Sequence, residues 1–316
     1  MTHTDNFEDL DSEIDPELRK KVAQRSTWVS VVTNIVLIIV QMIAGCLTAS
    51  QGLIADGLHS LADIVSDVVV LMTQKHSHKA PDEDHHYGHY RYETAASLVL
   101  GLLLLLVGMG MINAALLNLT KVLTSTSQTI PFLAFGVAAA TVVAKETLFR
   151  YMMNEAKKIR SQLLIANAWH ARSDAASSLI VAIGVLGNHV GYPALDPIAA
   201  LLVGLLVARM GWRFASEALF DLMDRSVEEA IMGRIRQELL ATQGLLGIHD
   251  LRTRKIGDFI WVDVHLEVAA NITVAEGHEI SVQAKKQLMV AIPCILNVMT
   301  HVDPVDVVLE IPAPTE

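Results

Sequence analysis

From Trp28 to Ala49 the chain carries no charged residue, a run of 22. As a helix, such a run rises about 33 Å, enough to cross the hydrocarbon core of a bilayer. Five further stretches read the same way, at about 52–74, 94–117, 129–150, 163–187 and 195–212. Composition agrees. Of 316 residues, 52% are apolar and only 18% charged, whereas soluble domains carry roughly a quarter charged residues. Aromatic residues make up 5%, too few for the girdles of an outer-membrane barrel. The expected fold is therefore an all-α membrane bundle of six transmembrane helices. The second, fourth and fifth spans contain ionisable residues and cannot face lipid all round.

The flanks set the orientation. Residues 1–24 form an acidic tail, rich in Asp and Glu, that ends in Arg19, Lys20 and Lys21. Basic residues gather before span 1, between spans 2 and 3, between spans 4 and 5, and at the end of span 6, whereas the opposite loops hold only Lys121. The positive-inside bias places both termini in the cytoplasm. The net charge of −10 argues against a nucleic-acid partner. Cys46 and Cys294 indicate neither a disulfide framework nor a thiolate metal site.

The six-helix domain is expected over 25–213 and a linker over 214–225. From 226 to 306 the texture changes. A helix at 226–242 opens on Ser226, a plausible N-cap with acids in the first turn. Two strands, 248–256 and 259–268, flank the Gly257-Asp258 turn, with alternation clear in "FIWVDVHLEV". A helix at 273–291 and a strand at 295–302 complete a small α+β domain of order αββαβ. Residues 307–316 are a tail.

Thirteen histidines are many for so apolar a chain. The first group lies within the spans. Span 2 reads "DGLHSLADIVSD" and span 5 reads "NAWHARSDAASS". His59 and Asp63, and again His170 and Asp174, are four residues apart and stack on one helix face. Two imidazoles and two carboxylates suit a tetrahedral Zn²⁺ and cancel its charge, which matters where isolated charges are costly. The competing reading is a structural His–Asp network between packed helices. Asp56 and Asp67 extend the stripe of His59, either lining a water-filled entrance or serving structure.

The second group is the loop "KHSHKAPDEDHHYGHYRYE". Asp82, His85 and His89 make a three-ligand cluster within it. A looser reading is that His76, His78, His86, Glu83 and Asp84 merely raise the local cation concentration. The third group is His249, His265, His278 and His301 with Asp303. The two-residue spacing of His301 and Asp303 in "THVDPV" directs both to one side of an extended segment. Incidental surface histidines are the alternative.

No G-x-x-x-x-G-K-[ST] loop is present, so no P-loop ATPase is encoded. "HEISV" at 278–282 starts like a zinc-protease motif but ends in Val282. An intramembrane metallohydrolase would need an acid/base glutamate. The one glutamate well inside a span is Glu146, expected to pair with Lys145 beside it or to sit at the cytoplasmic surface.

Six spans, paired H-x-x-x-D motifs, the "DHHYGH" loop and a domain holding "GIHDLRTR" and "THVDPV" resemble the cation diffusion facilitator family, in particular its bacterial YiiP/FieF-type zinc and ferrous-iron efflux proteins. The likeness covers about 25–306. It implies proton-coupled export of divalent metal, chiefly Zn²⁺ with Fe²⁺, Co²⁺ or Cd²⁺ as alternatives, by a homodimer in the lipid of the bacterial inner membrane, and no enzymatic activity. The family's transport site maps onto His59, Asp63, His170 and Asp174. YiiP-type proteins usually carry Asp at the first of these positions, whereas zinc-selective members carry His. The loop site maps onto Asp82, His85 and His89. The binuclear cytoplasmic site maps onto His249, His265, His278, His301 and Asp303, with Asp303 as the bridge. A basic–acidic interlock at the dimer interface maps onto Arg91 and Asp224, with Arg where relatives carry Lys. The cytoplasmic domain is expected to be metallochaperone-like. The alternative function is a membrane metal sensor or scaffold that does not transport.

Overall fold

The computed structural model describes residues 16–77, 79, 81–124, 130–158 and 162–306. His78, residues 1–15 of the expected 1–24 tail and the tail 307–316 fall outside them, as does the side chain of His76, whereas residues 16–24 of the expected tail are the start of a helix. Six long helices come first: α1 (Pro16–Thr48), α2 (Gln51–Ser77), α3 (Arg91–Thr124), α4 (Phe132–Lys158), α5 (Gln162–His189) and α6 (Leu195–Leu222). The α/β segment follows as α7 (Glu229–Leu240), β1 (Gly247–Ile256), β2 (Phe259–Ala269), α8 (Val274–Ala291) and β3 (Ile295–Val305).

The chain divides into two compact units. One comprises residues 1–69 and 100–213, the other 70–99 and 214–316. Among the described residues, α1, α3, α4 and α6 are long and apolar enough by themselves to cross a membrane. Helices α2 and α5 are not in that set, and they are the two that carry the H-x-x-x-D pairs. Helices run past the expected spans. The 34 residues of α3 rise about 51 Å, more than the hydrocarbon core requires. Helix α6 continues to Leu222, so the first nine residues of the expected linker are helical.

In the first unit the core is built of small and branched residues, among them Ala44, Ala55, Ala115, Ala134, Val181, Val185, Val203 and Val207. Large apolar side chains point outward instead: Ile39, Leu106, Val143 and Ile183 are all more than half exposed. Water would not tolerate such a surface, but lipid does. Small residues also let backbones close on one another. A Cβ on Gly211 would stand 2.3 Å from the Leu105 amide, and one on Gly108 would stand 2.5 Å from that of Ala208. Glycine at both positions brings α3 and α6 into backbone contact.

The α1–α2 corner is tight. Ala49 takes a positive φ of 55°, and the Ser50 amide donates back to the Gly45 carbonyl at 3.1 Å, which closes α1 with a Schellman-type bond. Ser50 Oγ then accepts from the Leu53 amide at 3.3 Å and starts α2. Asp196 of α6 reinforces this start. Its carboxylate accepts from Ser50 Oγ at 2.7 Å and from the amides of Gln51 and Gly52 at 2.8 and 3.2 Å.

In the second unit the three strands lie in the order β1-β2-β3. Strands β1 and β2 pair antiparallel through the two-residue Gly257-Asp258 turn, where Gly257 has a φ of +59°. Strands β2 and β3 pair parallel, with α8 as the crossover. The alternation of β2 sorts its side chains. Val262, Val264 and Leu266 join Ile235, Leu239, Ala284 and Leu288 of α7 and α8 in the core, leaving Asp263, His265 and Glu267 to the other face. Helix α8 opens on a capping box in which Thr273 and Glu276 exchange bonds.

The start of α7 differs from the expectation. The helix begins at Glu229, and its N-cap, Glu228, makes no side-chain bond. Ser226 does not cap it. Ser226 Oγ sits 3.0 Å from Thr253 Oγ1 on β1, and the Val227 amide donates to the same hydroxyl at 3.2 Å. Pairing to the sheet has taken the cap residue away from the helix.

Candidate metal centre

Three groups of ligand side chains form among the described residues. In the first unit, the helical four-residue spacing sets His59 over Asp63, with Nδ1 and Oδ2 3.7 Å apart. Packing of α2 with α5 adds Asp174. Ligand atoms of His59, Asp63 and Asp174 all lie within 4.8 Å of one another. All three are largely buried, with side chains 11%, 17% and 18% exposed. His170 is placed differently. It is 59% exposed, its Nε2 lies 3.9 Å from Asp174 Oδ2, and it stands outside the three-residue cluster while lining the same cavity as Asp63 and Asp174. One nitrogen and two carboxylates thus converge, with a second imidazole at the rim.

Behind this cluster the sequence-based pairing fails. Glu146 does not pair with Lys145. Adjacent helix residues do not face each other, and Glu146 accepts instead from Arg150, four residues on, at 2.9 Å. Lys145 is buried against Asp56, 3.6 Å away. A lysine inside a membrane span signals a buried partner. Which partner it was depended on how α4 meets α2.

The loop gathers its ligands around one carboxylate. Asp82 Oδ1 lies 3.5 Å from His85 Nδ1, and Oδ2 lies 3.4 Å from His89 Nε2. The His85 and Asp84 amides donate to Asp82 Oδ1, so the loop's own backbone aims the carboxylate. His89 is buried and stacks on Tyr92, with centroids 5.6 Å apart. Lys79 also holds Asp82, at 2.7 Å. That bond, the His85 amide and the surrounding positive charge keep the Asp82 carboxyl well below its usual range.

In the sheet, strand register does the gathering. His249 pairs with His265 across β1 and β2, and His265 with His301 across β2 and β3. The three rings form a row with centroids 4.9 and 4.8 Å apart. Asp303 closes the row. Its Oδ2 lies 2.8 Å from His265 Nδ1 and 3.1 Å from His249 Nε2, and its Oδ1 lies 3.2 Å from His301 Nε2. Each oxygen faces different imidazoles, as a bridging carboxylate requires. Burial opposes ionisation of Asp303, but the His265 bond and the neighbouring imidazoles outweigh it and hold the carboxyl below its ordinary value.

His278 is not in this row. It lies on α8, the helix packed over the apolar face, and the period of two that buries Leu266 turns His265 the other way. Two acids that sequence spacing did not single out do join. A bulge between His249 and Arg252, with Asp250 at a φ of 49°, brings Asp250 within ligand distance of His249 and His265. Glu267 Oε1 lies 4.0 Å from His249 Nε2. Glu267 was legible by its two-residue spacing from His265, but the bulge was not. Separately, Arg91 bonds Asp224, with its second nitrogen donating to the Leu222 carbonyl at 3.3 Å. Within one chain, then, the expected interlock residues meet.

Six long helices that bury an imidazole–carboxylate cluster, followed by a small α/β domain with a histidine row, are the arrangement that the family matches identify as a multi-pass transporter of divalent metal cations. Residues 27–223 match the cation efflux transmembrane domain and residues 227–305 the cytoplasmic domain of cation efflux proteins. The chain belongs to the cation diffusion facilitator family, whose members are transporters rather than enzymes. It is 31% identical to the manganese efflux system protein MneS of Bacillus subtilis, over 86% of this chain and 92% of that one. It is 32% identical to metal tolerance protein C1 of Arabidopsis thaliana, over 86% of this chain, and spans 60% of the length of that relative. A solved structure of the MamM CTD, a single-substitution variant in a cadmium form, is 26% identical over 25% of this chain and 98% of that one, with a TM-score of 0.24.

Proposed function

We propose that this chain exports Zn²⁺ from the bacterial cytoplasm in exchange for protons, as a homodimer in the inner membrane with both termini inside. The observation that carries the reading is the convergence of His59, Asp63 and Asp174 within the helical unit. Ionisable residues inside a membrane mark ion pathways by default. Two carboxylates balance one divalent cation, and an imidazole favours zinc over the harder cations. The loop residues Asp82, His85 and His89 form a second site for the same cation. His170 completes the transport ligand set when α2 and α5 shift during alternating access. No ATP-binding motif is present, so a gradient drives export. Imidazole titrates near neutrality, and metal must displace protons from its ligands to bind. Protons arriving from the far side therefore expel the metal.

Reconstituted into proteoliposomes, the full chain is expected to accumulate Zn²⁺ when a proton gradient is imposed. Unchanged flux in His59→Ala and Asp174→Ala would overturn the site. The manganese efflux of MneS makes Mn²⁺ the competing cargo, so the decisive comparison is Zn²⁺ against Mn²⁺ in wild type and His59→Asp. The aspartate variant is expected to shift preference toward Mn²⁺.

Metal resident in the cytoplasmic domain fits the donor set of the histidine row and Asp303, with Asp250 and Glu267 as further donors beside it. That metal acts as a sensor of cytoplasmic zinc, favouring one arrangement of the two protomers over another, which requires unequal affinity in the two arrangements. Equal affinity in both, each locked by a cross-link, would leave the metal a structural role only. A non-transporting sensor or scaffold is the second reading. The histidine row favours it, but buried ligands in the helical unit do not.

A further inference from the structure

Lys145 of α4 is 3% exposed and Asp56 of α2 is 1% exposed. The ammonium lies 3.6 Å from Asp56 Oδ1, and donates to Ser60 Oγ at 3.1 Å and to Ser178 Oγ at 2.7 Å. Two of its protons therefore meet hydroxyl acceptors, while Asp56 faces the ammonium as an ion pair rather than a hydrogen bond. Asp56 is held on its other oxygen by the Gln41 amide of α1. Ser60 is the residue after His59, and Ser178 lies four residues after Asp174. One side chain thus ties the ligand-bearing turn of α2 to that of α5. Lys145 lines the same cavity as Asp63, His170 and Asp174.

Charge gives this arrangement its consequence. Asp56, His59 and Asp63 stand at i, i+3 and i+7 on one stripe of α2. Left free, Asp56 would add a further carboxylate beside a cluster in which Asp63 and Asp174 already balance a divalent cation and whose cavity Asp67 also lines. Paired with Lys145, it contributes no net charge.

We propose that Lys145 is a positioning and specificity-determining residue of the transport site, holding Asp56 out of the ligand set as a neutral pair while bracing α2 against α5. The proposal rests on the reading of His59, Asp63 and Asp174 as the transport site. It predicts opposite effects from its two members. Asp56→Asn leaves an unbalanced positive charge beside the site and raises the KM for Zn²⁺ by about tenfold. Lys145→Met releases an unbalanced carboxylate. It lowers KM by a similar factor and slows turnover, because the cation leaves more slowly. The double variant removes both charges and returns KM to within about threefold of wild type.

The test is Zn²⁺ flux, with Mn²⁺ run in parallel, by the reconstituted full chain. A purely structural brace would weaken transport in both single variants, and the double variant would be no better than either. That result would overturn the proposal. Should Lys145→Met fail to fold, Asp56→Asn and the double variant decide alone. A raised KM in the first and its recovery in the second support the proposal, and an unchanged KM in Asp56→Asn overturns it. Asp63→Asn and Asp174→Asn are measured beside them. If these abolish flux while Asp56→Asn leaves KM unchanged, only the role of Lys145 falls. If they leave flux unchanged, the transport site itself is misplaced and the proposal falls with it.

Discussion

Asp303 lies two residues after His301 on β3, yet its closest imidazole belongs to His265 on β2, 2.8 Å away. Parallel pairing sets His265 beside His301, and Asp303 leans back across the row. One carboxylate therefore serves three strands. Asp303→Ala is expected to cost the cytoplasmic domain at least one bound metal equivalent without unfolding it, since the domain core lies on the other face of the sheet. Calorimetric titration of the purified full chain with Zn²⁺, alongside circular dichroism, checks both halves of that expectation.

Lys79 competes with any cation for Asp82. Its ammonium lies 2.7 Å from the oxygen that also approaches His89. The pair is exposed, so its strength is modest. Lys79→Ala is expected to tighten Zn²⁺ binding at the loop by roughly twofold to fivefold, the worth of a surface ion pair. The measurement is competition with a zinc indicator, and weaker binding in the variant would contradict it.

The capping box of α8 depends on pH. Glu276 accepts from the Thr273 amide at 2.7 Å and from its hydroxyl at 2.8 Å. The backbone bond first, and the hydroxyl second, pull its carboxyl below the ordinary 4.5. A lowered folded-state value means the stabilisation is complete above 4.5 and fades as pH falls through the folded value. Amide exchange in the first turn of α8 should therefore be faster in Glu276→Gln than in wild type at neutral pH. The difference should shrink below pH 4.5. A gap that stays constant down the acid range would count against it.

Two glycines of α3 differ in what surrounds them. Gly108 faces the α6 backbone, where an added Cβ would come 2.5 Å from the Ala208 amide, while Gly110 meets nothing within 4 Å. Gly108→Ala is expected to cost about 1–3 kcal/mol or more by forcing the helices apart. Gly110→Ala is expected to be neutral or to stabilise by up to about 1 kcal/mol through helix propensity. Thermal melting in detergent separates the two.

Much of the site could be read in one dimension. His59 with Asp63 and His170 with Asp174 follow from a four-residue helical spacing, and His301 with Asp303 from a two-residue strand spacing. The Asp82–His85–His89 loop was legible because its ligands are close in sequence and its backbone curls around one carboxylate. Less legible were pairings between elements. Lys145 stands next to Glu146 in sequence, yet it faces Asp56, 89 positions away. Ser226 resembled a helix cap until Thr253 of β1 engaged it. His278 was grouped with the histidine row although α8 lies across the apolar face.

The sequence alone determined the class of solvent and the order of elements. Uncharged runs longer than a bilayer is thick leave few choices, and alternation in β2 decides which of its residues are buried. Tertiary structure decided which charges meet. Periodicity is local, so it tells which face a residue occupies but not what that face touches. The partner depends on strand register, on a bulge at Asp250, and on the close approach that Gly108 and Gly211 permit between α3 and α6. Those relations involve residues far apart in the chain. They are set by packing, which no spacing rule encodes.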